Sequence, residues 1–274
     1  MPAHSYILET SHAAICVTES GSVGPAALLI HGNSACAAFF RNQLESEIGA
    51  RYRLIAIDLP GHGRSSDARN PRRSYSMPGY ADMATEVIDR LGISRFAVLG
   101  WSLGGHVAIE MISRNAGLAG LMITGTPPVS TQLESFAAAF RPSDLIVLTG
   151  KPELTVEEAE AFVRAGVGGP IEPFMRATAL RTDGRARASM VEAVMAGWGA
   201  DQRHIVENSP VALSVVSGAD EPFVDNDYLR AIAYANLWEG QVHIVEGAGH
   251  APFWQAPDRF NPILARFLAH VLGS

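Results

Sequence analysis

The stretch Ala97-Val98-Leu99-Gly100-Trp101-Ser102-Leu103-Gly104-Gly105-His106-Val107-Ala108 decides the fold. An apolar run of strand length leads into Gly-x-Ser-x-Gly, and a helical pattern follows. Glycine is abundant, so the five-residue pattern alone is weak evidence. The order strand, tight turn and helix strengthens it, because that order is typical of a nucleophile elbow. We therefore predict that Ser102 is a nucleophile and that the Leu103 N–H donates to an oxyanion.

The rest of the chain alternates between strands and helices. Buried strands are predicted at 26–30, 53–57 and 120–124, a helix at 80–91, a further strand at 211–216 and a helix at 227–235. This alternation predicts an α/β fold, a mostly parallel central sheet with helices on both faces. From 129 to 209 helical patterns dominate. We predict a core domain of residues 1–128 and 210–274, with residues 129–209 as a helical cap inserted before the strand that precedes the catalytic acid.

Composition restricts the partners of the protein. The formal net charge of the 274 residues is −7, and Lys and Arg form no block, which argues against nucleic-acid binding. No apolar run reaches the roughly 20 residues of a membrane span. Two cysteines and a start unlike a signal peptide predict a cytoplasmic protein. No metal-binding histidine spacing occurs, so we expect no metal and no cofactor. We expect a small-molecule substrate, and leave monomer and dimer open.

A serine nucleophile requires a base and an acid that orients it. His250 follows the predicted last strand, 241–245, in a glycine-rich loop, and we predict that it is the base. The turn after the preceding strand carries two adjacent carboxylates, Asp220 and Glu221. Their side chains point in different directions, so one of them is expected to reach His250. The spacing itself does not choose between them.

The loop His31-Gly32-Asn33, after the first buried strand, is the expected source of the second oxyanion donor. We assign this donor to the backbone N–H of Asn33, whose side-chain amide would be free to bind the substrate. His31 is expected to brace the loop by hydrogen bonds. Trp101 and Phe39 could line an acyl pocket or belong to the core, and the sequence leaves both interpretations open.

These motifs resemble a known superfamily. Gly100 to Gly105, His31-Gly32-Asn33 and Gly249-His250-Ala251-Pro252 resemble the α/β-hydrolase fold along the whole chain. Asp220-Glu221-Pro222-Phe223-Val224 and Asn236-Leu237-Trp238-Glu239-Gly240 are similar to the AidH-type, metal-independent N-acyl homoserine lactonases, which are quorum-quenching bacterial hydrolases.

The resemblance implies opening of a homoserine lactone ring by a Ser-His-Glu triad. It favours Glu221 as the acid, with Asp220 as second choice. Phe162 stands where the resemblance leads us to expect a tyrosine, and it joins Asn33, Trp101 and Phe39 as an expected substrate contact. Alternative interpretations are a general carboxylesterase, a C–C bond hydrolase with the same triad, and a ligand receptor on a hydrolase scaffold.

Overall fold

A computed structural model describes residues 3–273, and the strands in that range form one eight-stranded sheet. The spatial order is β1-β2-β4-β3-β5-β6-β7-β8. β1 pairs antiparallel with β2 and β2 with β4, and the remaining pairs are parallel. This confirms the mostly parallel sheet. The strands are β1 His4–Glu9, β2 Ala14–Glu19, β3 Ala26–Ile30, β4 Arg53–Ile57, β5 Phe96–Trp101, β6 Leu118–Thr124, β7 Ala212–Gly218 and β8 His243–Val245.

Helices cover both faces of the sheet. The helices are α1 Arg41–Leu44, α2 Glu47–Arg51, α3 Pro71–Ser74, α4 Met77–Arg90, α5 Leu103–Met111, α6 Leu133–Ala139, α7 Val156–Val167, α8 Pro173–Arg181, α9 Gly184–Met195, α10 Gln202–Asn208, α11 Asn226–Ala231, α12 Pro252–Gln255 and α13 Pro257–Leu272. Short 3₁₀ segments lie at Ala37–Phe40, Asp144–Thr149 and Trp238–Gly240. No helix within residues 3–273 combines the length and the apolar character that crossing a membrane requires.

The central strands are apolar throughout because both of their faces are buried. Leu28 of β3 belongs to a cluster that also holds Val87 of α4 and Val107 of α5. The next residue, Leu29, points to the opposite face and joins a cluster with Phe267 of α13. The two-residue period of a strand thus divides the core into two layers, one on each side of the sheet.

The helix after the elbow lies unusually close to the sheet. A Cβ on Gly104 would lie 2.0 Å from the carbonyl oxygen of Ile30, and one on Gly100 would lie 2.5 Å from that of Gly104. No side chain fits at either position. This close approach brings the N-terminus of α5 against the carboxyl end of β3, where the predicted oxyanion loop begins.

Between β6 and β7, the described chain forms the five helices α6–α10 and no strand. Asp201 marks the start of α10 by accepting a hydrogen bond from the His204 N–H at 2.9 Å.

Two predicted helix boundaries were wrong. The helix predicted at 80–91 begins at Met77, because the Ser76 hydroxyl accepts the Gly79 N–H at 3.1 Å. The helix predicted at 227–235 ends at Ala231, since Ile232 adopts extended backbone angles.

Candidate active site

Ser102 lies on a strained turn between β5 and α5. Its backbone angles, φ 54° and ψ −119°, fall in a region that non-glycine residues rarely adopt. Two hydrogen bonds hold it there: the Ser102 N–H donates to the Thr124 carbonyl at 2.9 Å, and the Thr126 hydroxyl donates to the Ser102 carbonyl at 2.9 Å. The Ser102 side chain makes no capping hydrogen bond to α5. The turn therefore leaves the hydroxyl available to a ligand.

His250 contacts one of the two neighbouring carboxylates. Its Nδ1 lies 2.9 Å from Oε1 and 3.0 Å from Oε2 of Glu221. Glu221 is buried, and its Oε1 also accepts the Phe223 N–H at 2.9 Å, so this oxygen is oriented by the backbone. Asp220 is exposed, and its backbone N–H donates to Ala248 instead. The geometry pairs Glu221, and not Asp220, with His250.

Aromatic residues hold the His250 loop in position. The indole Nε1 of Trp101 donates to the His250 carbonyl at 2.9 Å. The ring of Phe223 meets the imidazole edge-on, with the centroids 5.0 Å apart. With Nδ1 donating to Glu221, the other ring nitrogen, Nε2, carries the lone pair that a base requires.

Two backbone donors lie near Ser102 without acceptors. Within residues 3–273 neither the Leu103 N–H nor the Asn33 N–H donates to a protein group. A Cβ added to Gly32 would lie 3.1 Å from the Ser102 Cβ, which shows how close the loop comes to the serine. Unpaired N–H groups beside a nucleophile are the donors that stabilise a tetrahedral oxyanion.

His31 braces this loop, as expected. Its Nε2 accepts the Leu59 N–H at 3.0 Å, and its Nδ1 donates to the Gly32 carbonyl at 2.7 Å. Both ring nitrogens are therefore occupied in the neutral form. Complete burial lowers the pKa of His31 and keeps the ring neutral.

The segment between β6 and β7 is bonded directly to the loop that holds Asn33 and Ser34. The Asn33 amide donates one of its two N–H groups to the Thr149 carbonyl at 2.8 Å, and its role in substrate binding stays a prediction. The Ser34 hydroxyl donates to Asn33 Oδ1 at 3.0 Å and accepts from Arg187 Nη1 at 3.2 Å. Arg187 is buried and also donates to the carbonyl of Pro152. The sequence offered no sign of this network, in which the bonds from Asn33 to Thr149 and from Arg187 to Ser34 span 116 and 153 positions.

Ser102, His250 and Asn33 line one cavity with a mainly apolar wall. Of the predicted pocket residues, Phe39, Trp101 and Phe162 line it, and a substrate-binding role for them stays a prediction. Trp101 also packs against Phe39, with centroids 5.4 Å apart, so it serves both the core and the cavity. Sequence reasoning missed further wall residues, among them His106, Phe140 and Phe223.

Within residues 3–273 no three His, Cys, Asp or Glu side chains are grouped so that they could hold a metal ion.

The chain is similar to hydrolases both in sequence and in structure. A model described as the alpha/beta hydrolase family matches residues 27–263. A structure of N-acyl homoserine lactonase AidH complexed with N-butanoyl homoserine is 47% identical, covers 98% of this chain and 97% of that chain, and superposes with a TM-score of 0.95. A 2-hydroxy-6-oxononadienedioate/2-hydroxy-6-oxononatrienedioate hydrolase of Pseudomonas sp is 26% identical over 94% of this chain and 93% of its own length.

A more distant structure shares the fold alone. Carboxylesterase CesB from Bacillus subtilis is 16% identical, covers 98% of this chain and 93% of its own, and has a TM-score of 0.78.

Proposed function

Because the chain belongs to the alpha/beta hydrolase family, we propose that it is a serine hydrolase that opens the lactone ring of N-acyl homoserine lactones. Family membership supports hydrolase activity. The observation that carries the lactone assignment is the 47% identity, over 98% of the chain, to N-acyl homoserine lactonase AidH. His250 and Ser102 line the same cavity, and His250 is bonded to the buried Glu221. This arrangement supports the serine mechanism.

The proposed first step is acylation of the serine. Ser102 Oγ attacks the lactone carbonyl carbon while His250 Nε2 takes the hydroxyl proton. Glu221 stabilises the resulting imidazolium and keeps its Nδ1–H directed away from the serine. The N–H groups of Leu103 and Asn33 bind the oxyanion of the tetrahedral intermediate.

The intermediate then collapses by breaking the ring C–O bond. His250 returns its proton to the departing ring oxygen, which stays tethered to the acyl-enzyme because the ester is cyclic. A water molecule next attacks the acyl carbon, with His250 again accepting a proton. Release of Ser102 takes that proton back and yields the open N-acyl homoserine.

We assign residues 129–209 to a cap that holds the acyl chain. Phe162 and Val163 of α7 and Phe140 line the cavity from this segment, and Phe39 and Trp101 line it from the core. Apolar walls suit a fatty acyl chain, because each buried methylene contributes about 0.8 kcal/mol.

C–C bond hydrolysis is the second candidate, and it is favoured by the relatives that carry that activity in their names. Those relatives are 25–26% identical to this chain. The lactonase structures are 47% identical, which is why the lactone assignment stands first.

The deciding experiment uses chelator-treated protein and N-hexanoyl homoserine lactone. Ring opening adds one water to the substrate, and mass spectrometry follows it. Ser102→Ala should abolish turnover, whereas the matched change Ser113→Ala, at an exposed position beyond the end of α5, should leave it intact. Aryl esters and a vinylogous 1,5-diketone serve as competing substrates.

Each outcome identifies one class of activity. Lactone opening that requires Ser102 supports the lactonase. Ser102-dependent cleavage of aryl esters or of the diketone alone replaces it with an esterase or a C–C hydrolase. Tight lactone binding with no turnover of any substrate would indicate a ligand receptor.

We further propose a cytoplasmic location and a quorum-quenching role. Both cysteines of the chain, Cys16 and Cys36, are buried and unpaired, which supports a reducing compartment. The quorum-quenching role follows from the proposed substrate class.

A further inference from the structure

The cavity contains a second histidine that the proposed mechanism does not use. His106 lies one helical turn after Ser102 on α5, and its N–H donates to the Ser102 carbonyl at 3.3 Å. It lines the same cavity as Ser102 and His250 and is 8% exposed. A substrate whose reacting carbonyl lies at Ser102 would therefore share the cavity with this ring.

The partner of His106 determines which ring nitrogen carries the proton. Gln202 of α10 is buried, and its Nε2 donates to the His106 carbonyl at 3.3 Å. Its other amide atom, Oε1, must then face the ring, where it lies 2.7 Å from Nδ1. An amide oxygen only accepts, so Nδ1 carries the hydrogen and Nε2 carries a lone pair.

The free nitrogen of His106 is open to a ligand. Nε2 of His106 has no hydrogen-bond partner within residues 3–273, yet it is not one of the polar atoms sealed from solvent. His106 lines the cavity that Ser102 and His250 also line, and we take this cavity as the space open to its Nε2. An acceptor without a hydrogen bond in a largely apolar wall costs free energy unless a ligand donates a hydrogen bond to it.

His106 and His250 differ in the group that is bonded to the Nδ1 atom of the ring. His250 has a carboxylate at Nδ1, which stabilises the imidazolium and suits a base. His106 has a neutral amide there, and burial lowers its pKa to about 4. At neutral pH His106 is therefore an acceptor and a poor proton carrier.

We propose that His106 Nε2 accepts a hydrogen bond from the amide N–H of the substrate and so selects N-acyl lactones over lactones that lack this donor. This inference rests on the proposed lactonase function. It identifies the amide N–H as the feature of the substrate that the site recognises. Gln202 acts as a positioning residue, because it holds His106 in the accepting tautomer.

The test compares two lactones that differ in one atom: N-hexanoyl homoserine lactone and its analogue with an ester oxygen in place of the amide nitrogen. Mass spectrometry separates ring opening from cleavage of the side-chain ester. The readout is the ratio of kcat/KM values for the two lactones, which does not depend on the fraction of protein that is folded. In the wild type we expect the ratio to favour the amide about tenfold, the size of one neutral hydrogen bond.

Variants then locate the preference. His106→Phe should bring the ratio close to one. His106→Gln, whose side-chain oxygen can occupy the position of Nε2, should retain most of it. Phe162→Leu is the matched control, since it changes the same cavity without removing a polar atom, and it should leave the ratio unchanged.

The outcomes separate the inference from the proposed function. If the wild type opens both lactones equally well, or if His106→Phe keeps the tenfold ratio, the inference is wrong and the lactonase assignment stands. If the wild type opens neither lactone, the proposed function fails and the inference fails with it.

Discussion

Two adjacent carboxylates, Asp220 and Glu221, have opposite environments in this protein. Glu221 is 1% exposed and is bonded to both His250 and a backbone N–H, whereas Asp220 faces solvent. The chain turns sharply after β7, so consecutive side chains leave the backbone on different sides. A pair of variants at these positions therefore tests the proposed catalytic acid with a built-in control.

Glu221→Gln should lower kcat for lactone opening by about 10²–10⁴-fold, because an amide at this position favours the wrong imidazole tautomer. Asp220→Asn should change kcat by less than twofold. Steady-state kinetics on N-hexanoyl homoserine lactone measures both, and thermal unfolding checks that each variant is folded. Equal losses in the two variants would contradict the assignment of Glu221.

At the scale of elements, the important contact joins α9 to the loop that holds Asn33 and Ser34. Arg187 is buried without a carboxylate in salt-bridge range among the described residues, and its guanidinium donates to carbonyl oxygens and to Ser34. Ser34 in turn bonds to Asn33, whose N–H is a proposed oxyanion donor. Arg187 thus connects the segment above the cavity to the group that would bind the transition state.

Arg187→Met should lower the free energy of unfolding by about 2–3 kcal/mol, since it removes charge-assisted hydrogen bonds from a buried site. It should also lower kcat more than it raises KM, because the Asn33 N–H would lose its fixed position. The matched control is Arg185→Met on the same helix, where an exposed guanidinium pairs with the largely buried Asp183 and contributes about 1 kcal/mol. Urea unfolding and kinetics measure the two effects. A similar loss in both variants would show that the network has no special role.

For the whole molecule, buried histidines govern the response to acid. His31, His62 and His106 are buried, and desolvation lowers the pKa of each below the ordinary value of 6.5. The unfolded chain therefore takes up protons at these positions before the folded protein does. Their contribution to stability is complete above about pH 6.5 and is lost as the pH falls towards the lowered folded pKa values.

We expect the free energy of unfolding to fall between pH 6.5 and pH 4.5, by up to about 1.4 kcal/mol per pH unit for each such histidine. The carboxylates with lowered pKa values, such as Glu19 and Asp183, lose their contribution only below that window. Urea titrations at several pH values measure the slope. His106→Gln should reduce it, and His204→Gln, at an exposed position, should not. A stability that is constant over this range would contradict the prediction.

The sequence by itself determined the fold class and the positions where chemistry was expected. Strands β3 and β4 have the predicted bounds, because a strand buried on both faces forms an apolar run, which β4 continues after its first residue, Arg53. The glycines around Ser102 predicted the elbow, because no side chain fits where α5 meets β3. The carboxyl ends of parallel strands meet at one edge of a sheet. Sequence order alone therefore predicted that the Ser102 and His250 loops would lie together.

Only the tertiary structure decided which polar atoms meet. It paired Glu221 rather than Asp220 with His250, joined Asn33 to Thr149, and brought Gln202 against His106. These contacts depend on the direction of single side chains and on partners about 30 to 116 positions apart. Hydrophobic periodicity carries no information about either, because it reports which face of an element is buried and not which polar group lies opposite.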